Sequence, residues 1–292
     1  MKLNRIVLGT VQLGMPYGIN NLKGQPNIED ALSILDYALD SGITTLDTAR
    51  AYGNSLKVIG EFHRKSTSRF DIINKFHLGQ SNLEDNVKAD LKHSHINKFA
   101  AYLFHSFNEF ENINKKDINE INALKNQGLV SKLGVSVYTN EQFKKAIESN
   151  LIDVIQLPYN LLDNYNYRGK LLEKAKINGK EIHTRSVFLQ GLLLMQQTEL
   201  PKGLIKLAPY IHSLKEIAFK AGLTLQELAV AYVLENKLID KVLFGVETLE
   251  QLKINFKIIS NVKPLNAMIL EEINAIKVVE TNLLNPVNWN SI

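Results

Sequence analysis

Short strand-like runs alternate with longer helical patterns from one end of this chain to the other, and nothing else in it constrains the fold as strongly. Residues 4–10 (NRIVLGT) read as a strand. Residues 28–41 carry apolar side chains three to four apart, the spacing of a helix, with Gly42 as its stop and Ile43–Leu46 as the next strand. Helix 55–65, strand 70–74, helix 82–93, strand 98–104 and helix 115–127 follow, and the segment GLVSKLGVS turns into a strand. The second half continues with helix 140–149, strand 153–157, helix 166–178 and strand 180–184. A longer connection, 185–208, precedes helices near 209–221 and 224–236, strand 240–244, helix 248–259 and a last helix near 266–279. The Asn-rich tail from about Asn282 is expected to be irregular.

Eight strands each followed by a helix need crossover connections, which make neighbouring strands parallel and cover the sheet. Eight such units favour a closed α/β barrel, a (β/α)8 TIM barrel, over an open doubly wound sheet. No linker or low-complexity stretch interrupts the alternation, so residues 1–292 are expected to form a single domain with an extra C-terminal helix and tail.

Composition then removes several function classes. The chain has no cysteine, which excludes disulfide frameworks, thiolate metal sites and cysteine nucleophiles. The net charge of +4 is scattered, without the basic stripe and interleaved aromatics of a nucleic-acid surface. No segment reaches the length of a membrane span, and the opening MKLNRIVLGTVQLG reads as a strand rather than a signal peptide. These features predict a cytoplasmic protein that binds neither nucleic acid nor membrane. No metal site is expected, because His93 and His95 lack a carboxylate at ligand spacing and read as surface residues. His183, at the end of the seventh strand, is expected to pack in the core or at the barrel mouth, with a substrate contact as the alternative.

In such a barrel the reactive groups belong at the C-terminal ends of the strands. Asp47 ends the second strand, Tyr52 lies in its loop, Lys75 ends the third and His105 the fourth. Singly, each has a plain structural explanation: Asp47 as a helix cap, Tyr52 as a packed aromatic, Lys75 as a solvated cation, His105 as a core histidine. Jointly they form a proton-transfer set. A free tyrosine, with a pKa of about 10, is a reluctant acid at neutral pH. A lysine cation beside it favours the phenolate, an aspartate fixes the lysine, and a histidine orients a carbonyl oxygen. Such a positioned acid contributes roughly 10²- to 10⁴-fold in rate.

The segments LDTARAYG, INK and LFH resemble the tetrad motifs of the aldo-keto reductase superfamily. The resemblance extends along almost the whole chain through GVSVY, VIQLPYN, FLQGLL and FGVETLEQLKIN. It implies an NAD(P)H-dependent oxidoreductase that exchanges hydride between a nicotinamide and an aldehyde, ketone or sugar-like carbonyl. By that resemblance Tyr52 is the general acid or base, Asp47 and Lys75 tune it, and His105 positions the substrate oxygen. Ser136 and Gln156 would hold the nicotinamide carboxamide. The loop with Arg185, Ser186, Leu189 and Gly191 would meet the ring and pyrophosphate, and Gly245, Glu247, Gln251 and Asn255 the adenosine end. The long loop QLGMPYGINNLKGQPN, through Tyr17, and Tyr138 would supply substrate contacts, or simply cover the surface. The opening GTVQLGMPYG and the RSVFLQGLL loop look like a bacterial subgroup that accompanies surface-polysaccharide or nucleotide-sugar pathways.

Three positions depart from the family pattern. Val137 stands where an asparagine often helps hold the carboxamide, and Arg185 stands where many members stack a tyrosine on the nicotinamide. Arg185 would stack through its planar guanidinium, close a salt bridge at the mouth, or suit an anionic substrate. Glu247 replaces a basic residue that in many relatives grips the 2′-phosphate of NADPH; a carboxylate there repels that phosphate and accepts from ribose hydroxyls. Lys253 on the same helix is a candidate compensating charge. The family default puts NADP(H) slightly ahead, with NAD(H) open. A cofactor-binding regulatory or scaffold barrel with little turnover is the competing reading, and a barrel isomerase or lyase a more distant one.

Overall fold

Eight parallel strands close on themselves in chain order in the structure, a computed structural model that describes residues 3–79 and 82–291. They are β1 (Ile6–Gly9), β2 (Thr45–Asp47), β3 (Asp71–Phe76), β4 (Ala101–Phe104), β5 (Leu133–Ser136), β6 (Val154–Pro158), β7 (Glu181–Arg185) and β8 (Lys241–Gly245). Closure is the pairing of β1 with β8, in which Ile6, Val7, Leu8 and Gly9 face Val242, Leu243, Phe244 and Gly245. The expected TIM barrel is therefore the observed fold.

Strand boundaries moved where a turn claimed the end residues. The first strand is shortened to Ile6–Gly9 because Leu3–Arg5 forms a 3-10 turn and Val11–Gly14 a one-turn helix. Ile43 stays out of β2 because its N–H returns to Ala38 O (2.9 Å), closing the preceding helix over Gly42. The helix expected at 55–65 is found at Ser55–Lys65, and that expected at 140–149 at Asn140–Glu148. Thr139 and Thr224 begin their helices with reciprocal capping boxes to Gln142 and Glu227. The tail is a correction. Instead of irregular chain it forms 3-10 segments at Thr281–Leu284 and Pro286–Ser291, because Leu283 and Leu284 are buried and Trp289 Nε1 donates to Leu283 O (2.8 Å). Among the described residues no single helix is long and apolar enough to cross a membrane.

Side chains alternate along a strand, so every second residue enters the barrel. Val7, Ile73, Ala101, Leu103, Val154 and Leu243 pack together as a buried apolar layer inside it. One step further along the same faces come Lys75 on β3 and Gln156 on β6. Outward-facing Asn74, by contrast, bonds Asp90 of helix Leu83–Ser94 (3.1 Å). The apolar layer thus acts as a floor on which polar residues at the C-terminal strand ends are held.

Candidate active site

Lys75 Nζ is the hub of that polar layer. It pairs with Asp47 Oδ1 and donates to Thr48 O (3.1 Å) and to the Tyr52 hydroxyl (3.4 Å). A lysine has three N–H donors, and all three are accounted for. Asp47 and Lys75 are both buried, with 3% and 2% exposure, so neither charge is shielded by solvent. Burial works against the ammonium, but the Asp47 carboxylate and the Tyr52 oxygen outweigh it and hold Lys75 above its ordinary pKa. The second Asp47 oxygen accepts from Gln156 Nε2 (2.8 Å) across the barrel.

Tyr52 reaches this hub because its loop is wedged against the turn after β1. A side chain on Gly14 would lie 1.8 Å from Tyr52 O, and one on Gly53 (φ 52°) 2.3 Å from Gly14 O. Only hydrogen fits between these backbones. Below them Ser55 Oγ bridges Thr10 Oγ1 (2.7 Å) and Thr48 Oγ1 (3.0 Å). His105 meets the Tyr52 ring edge-on, with centroids 5.8 Å apart at 85°. Its other neighbour is His77, stacked at 4.8 Å and bonded through Nδ1 to Glu109 (2.9 Å). Burial, then the Lys75 cation, push the His105 imidazole down to about 3, so it is neutral at physiological pH. Its Nδ1 is buried without a hydrogen-bond partner.

The remaining expected residues fall into two groups. Ser136, Gln156, Arg185 and Tyr138 converge: Arg185 Nη2 lies 3.5 Å from Ser136 Oγ, and its guanidinium carbon 4.1 Å from the centre of the Tyr138 ring. Gln156 Oε1 is buried with no partner. Val137 is fully buried and its N–H bonds Gln156 O (2.8 Å), so its side chain offers nothing to the mouth. Ser186 (φ 64°), Leu189 (φ 48°), Gln190 (φ 55°) and Gly191 (φ 87°) form a left-handed run after β7, a conformation that non-glycine residues adopt at a cost. The Leu189 side chain is buried, leaving only backbone available there. Among the described residues the N–H groups of Val187, Phe188 and Gln190 donate to no backbone carbonyl. Tyr17, in the loop after β1, covers this run by accepting from Gln190 Nε2 (2.9 Å).

The second group surrounds the end of β8. Gln12 lies against Gly245, where an added side chain would meet its amide at 2.8 Å, and Gln12 Oε1 is buried without a partner. Glu247 pairs with Gln251, whose Oε1 accepts from Glu247 N (2.8 Å) and whose Nε2 donates to Glu247 Oε2 (3.3 Å). Burial raises the Glu247 pKa. Asn255 follows Gln251 by one turn on helix Leu249–Asn261; it is 4% exposed and its Oδ1 accepts from Gln226 Nε2 (2.9 Å).

A family model described as the aldo/keto reductase family matches residues 5–278. The chain belongs to the aldo/keto reductase family. It is therefore an NAD(P)-dependent oxidoreductase. This aldo-keto reductase is 23% identical to the NADH-specific methylglyoxal reductase of Escherichia coli, over 92% of this chain and 94% of that protein. It is 25% identical to the D-arabinose 1-dehydrogenase of Saccharomyces cerevisiae, over 88% and 84%. The holo form of an aldo-keto reductase from Bacillus halodurans shares the fold, with a TM-score of 0.75 at 20% identity over 94% of this chain and 92% of that one.

The donor set suits a nicotinamide dinucleotide. The orphaned Gln156 oxygen is free to accept, as a carboxamide N–H₂ would require, and the Val187, Phe188 and Gln190 N–H groups, with no backbone acceptor, are free to donate, as a pyrophosphate would require. Sequence reasoning missed Gln12, Gly14 and His77. His77 follows Lys75 by two residues, a signal that was available; Gly14 carries none, because its partner is 38 residues away in the chain. His183 lies inside the barrel rather than at its mouth, bonded to Glu181 at the start of β7 (2.8 Å). His93 and His95 are exposed, and among the described residues no three His, Asp or Glu side chains cluster as metal ligands.

Proposed function

We propose that this reductase reduces a small carbonyl with Tyr52 as the proton donor, and that the reading rests on one observation: Lys75 spends all three of its N–H groups on Asp47, Thr48 and Tyr52. Lys75 donates to the Tyr52 oxygen, so the phenol's own proton is directed elsewhere, toward a substrate oxygen at the mouth. As that proton leaves, the ammonium beside it stabilises the negative charge left on the phenol oxygen. Asp47 keeps the ammonium in place, and Gln156 keeps Asp47 in place. The neutral His105 beside the phenol hydrogen-bonds to the substrate oxygen without adding charge. In the oxidative direction the same groups return the proton to Tyr52.

A nicotinamide, when bound, supplies or accepts the hydride. Ser136 and the Gln156 oxygen hold its carboxamide, the 186–191 backbone its pyrophosphate, and Gln12, Gly245 and Glu247 the adenosine side. Between the two cofactors we propose NADH, against the family default. Among the described residues the Glu247 side chain is engaged by Gln251 alone, and Lys253, the candidate compensating cation, is directed to the face of Tyr37 at 5.8 Å. A carboxylate accepts from ribose hydroxyls and repels a 2′-phosphate. The NADH specificity named for the E. coli relative supports the same choice.

The test is a Tyr52→Phe variant in parallel with fluorescence titrations of NADH and NADPH. Carbonyl reduction is expected to fall about 10²- to 10⁴-fold while cofactor affinity is kept. Undiminished reduction in Tyr52→Phe would remove the assignment of the acid, and tighter binding of NADPH than NADH would remove that of the cofactor.

A further inference from the structure

Arg185 is a cation held in place at the mouth with no ion-pair partner among the described residues. Its guanidinium lies over the Tyr138 ring at 4.1 Å, and its other contacts are long: Val137 O at 3.3 Å, Ser136 Oγ at 3.5 Å and Ser186 Oγ at 3.5 Å. A guanidinium has five N–H donors: three are spent on these long contacts, and Nε–H and one Nη1–H have no partner among the described residues. Among the described residues no carboxylate lies within salt-bridge distance of it. The acidic group whose field it shares is Asp163. Both Asp163 oxygens are already taken by Arg168, at 2.7 and 2.8 Å.

The backbone on either side of Arg185 is clamped from below. Arg168 donates to Tyr138 O (2.5 Å) and Asn140 Oδ1 (2.7 Å), fixing the aromatic face on which Arg185 rests. Asn160 Nδ2 donates to Ser186 O (3.0 Å), and Asn160 Oδ1 accepts from the N–H groups of Leu162 and Asp163 (both 2.9 Å). Asn160, Asp163 and Arg168 are each at most 1% exposed. Ser186, directly after Arg185, is held in the left-handed region (φ 64°). An ion pair buried under a loop costs desolvation, and here it serves to hold a second, unpaired arginine. The charge of Arg185 is also felt at His105, which places it in the same mouth as the proposed proton donor.

We propose that Arg185 recognises an oxyanion, a carboxylate or a phosphate, carried by the carbonyl substrate itself. A planar guanidinium binds either group through two parallel hydrogen bonds; here that means exchanging a long Nη2 contact, to Ser136 Oγ at 3.5 Å or Val137 O at 3.3 Å, for a short charge-assisted one, while the Tyr138 face keeps the plane fixed. Arg185 is then a specificity-determining residue, selecting anionic carbonyls over neutral ones of the same size. The inference rests on the reductase reading, so its test carries a measurement that does not depend on turnover.

Two substrate pairs separate the sources of charge: succinic semialdehyde against butanal for a carboxylate, and glyceraldehyde 3-phosphate against glyceraldehyde for a phosphate. The quantity read is the ratio of kcat/KM for the charged to the neutral member, in the wild type, Arg185→Gln and Arg185→Lys. Arg185→Gln is expected to lower that ratio about 10- to 100-fold for at least one pair, mostly through KM, the size of a charge-assisted hydrogen bond. Arg185→Lys is expected to restore part of it. A loss shared equally by charged and neutral substrates assigns Arg185 to the cofactor side or to loop structure and overturns the proposal. Calorimetric titration with succinate and with inorganic phosphate, on the full chain, is read alongside. Binding that is lost in Arg185→Gln supports the proposal even if none of the four carbonyls is turned over, which would count against the reductase reading alone. Absence of binding by both anions to the wild type, together with an unchanged ratio, overturns it.

Discussion

At the N-terminal rim of the barrel, Asp153 accepts from Lys125 (2.8 Å) and from the main-chain N–H of Leu133 (2.8 Å), tying the start of β6 to β5. Asp240 repeats the device two strands on, accepting from Lys176 (2.7 Å) and from Ile182 N–H (2.7 Å) to tie β8 to β7. Glu181 accepts from His183 and from Lys132, contacts that pull its carboxyl down to about 2. At the opposite rim the pattern inverts. Among the described residues Gln156 Oε1, His105 Nδ1 and Gln12 Oε1 are buried with no partner, and Arg185 has no carboxylate. The contrast is not absolute, since His183 Nδ1, Arg5 Nε and the Tyr102 hydroxyl are also buried without partners. One rim spends its polar groups on holding strands together; the other keeps several in reserve for something that is not protein. Unsatisfied buried groups cost stability, and the three at the C-terminal rim stand beside the Asp47–Lys75 hub and Arg185, at the end of a barrel where a ligand can repay them.

Four substitutions sharpen or break this contrast. Lys75→Met leaves the buried Asp47 carboxylate with Gln156 alone, and is expected to cost roughly 3–5 kcal/mol in urea unfolding. A cost under about 1 kcal/mol, as for an exposed pair, would show that the upper charges are not buried after all. Gly14→Ala forces the Tyr52 loop away from the hub. Its kcat is expected to drop about 10²-fold, the penalty of misplacing a reacting group by about 1 Å, with cofactor affinity retained. Unchanged turnover would mean that this backbone contact does not set the position of Tyr52.

Asp240→Ala belongs to the other rim and should cost about 1–3 kcal/mol of stability, because Ile182 N–H loses its partner, without altering kcat. A fall in kcat comparable to that of Gly14→Ala would erase the division of labour between the rims. The smallest effect is a pH dependence. His105 titrates at 6.5 when unfolded and is pushed down to about 3 when folded. The unfolded chain therefore takes up the proton first, and stability falls as pH drops below 6.5, levelling off only near 3. From pH 7.5 to 6 the loss is about 0.5–1 kcal/mol, a size set by the unfolded value. His105→Gln should flatten the slope by that amount; an identical slope would place the titration elsewhere.

Much of this was legible along the chain. The alternation of short strand-like runs with period-3.6 helical patterns marked every strand and the principal helices, and Asp47, Tyr52, Lys75 and His105 followed from their places after consecutive strands. Boundaries were less legible, since a turn such as the one at Gly42 and Ile43 takes residues whose apolar pattern suits a strand equally well. The tail read as irregular because Asn and Pro mask the burial of Leu283 and Leu284, which depends on what the rest of the fold leaves uncovered. Asn255 matches an adenosine-side motif by its letters, and that its oxygen accepts from Gln226 is a pairing that only the packing of two helices creates.

By itself, the order of residues determined the barrel and the identity of the groups at its mouth, because side-chain periodicity and strand-end position are properties of local spacing. Which of those groups are satisfied and which are held in reserve was decided only by the tertiary structure. Lys75 filling its three donors, the glycine contact that sets Tyr52, and Arg185 left unpaired above the Arg168–Asp163 clamp all join residues far apart in the chain. Hydrogen bonds and ion pairs act over a few ångströms and depend on direction, so their count is fixed when the elements dock.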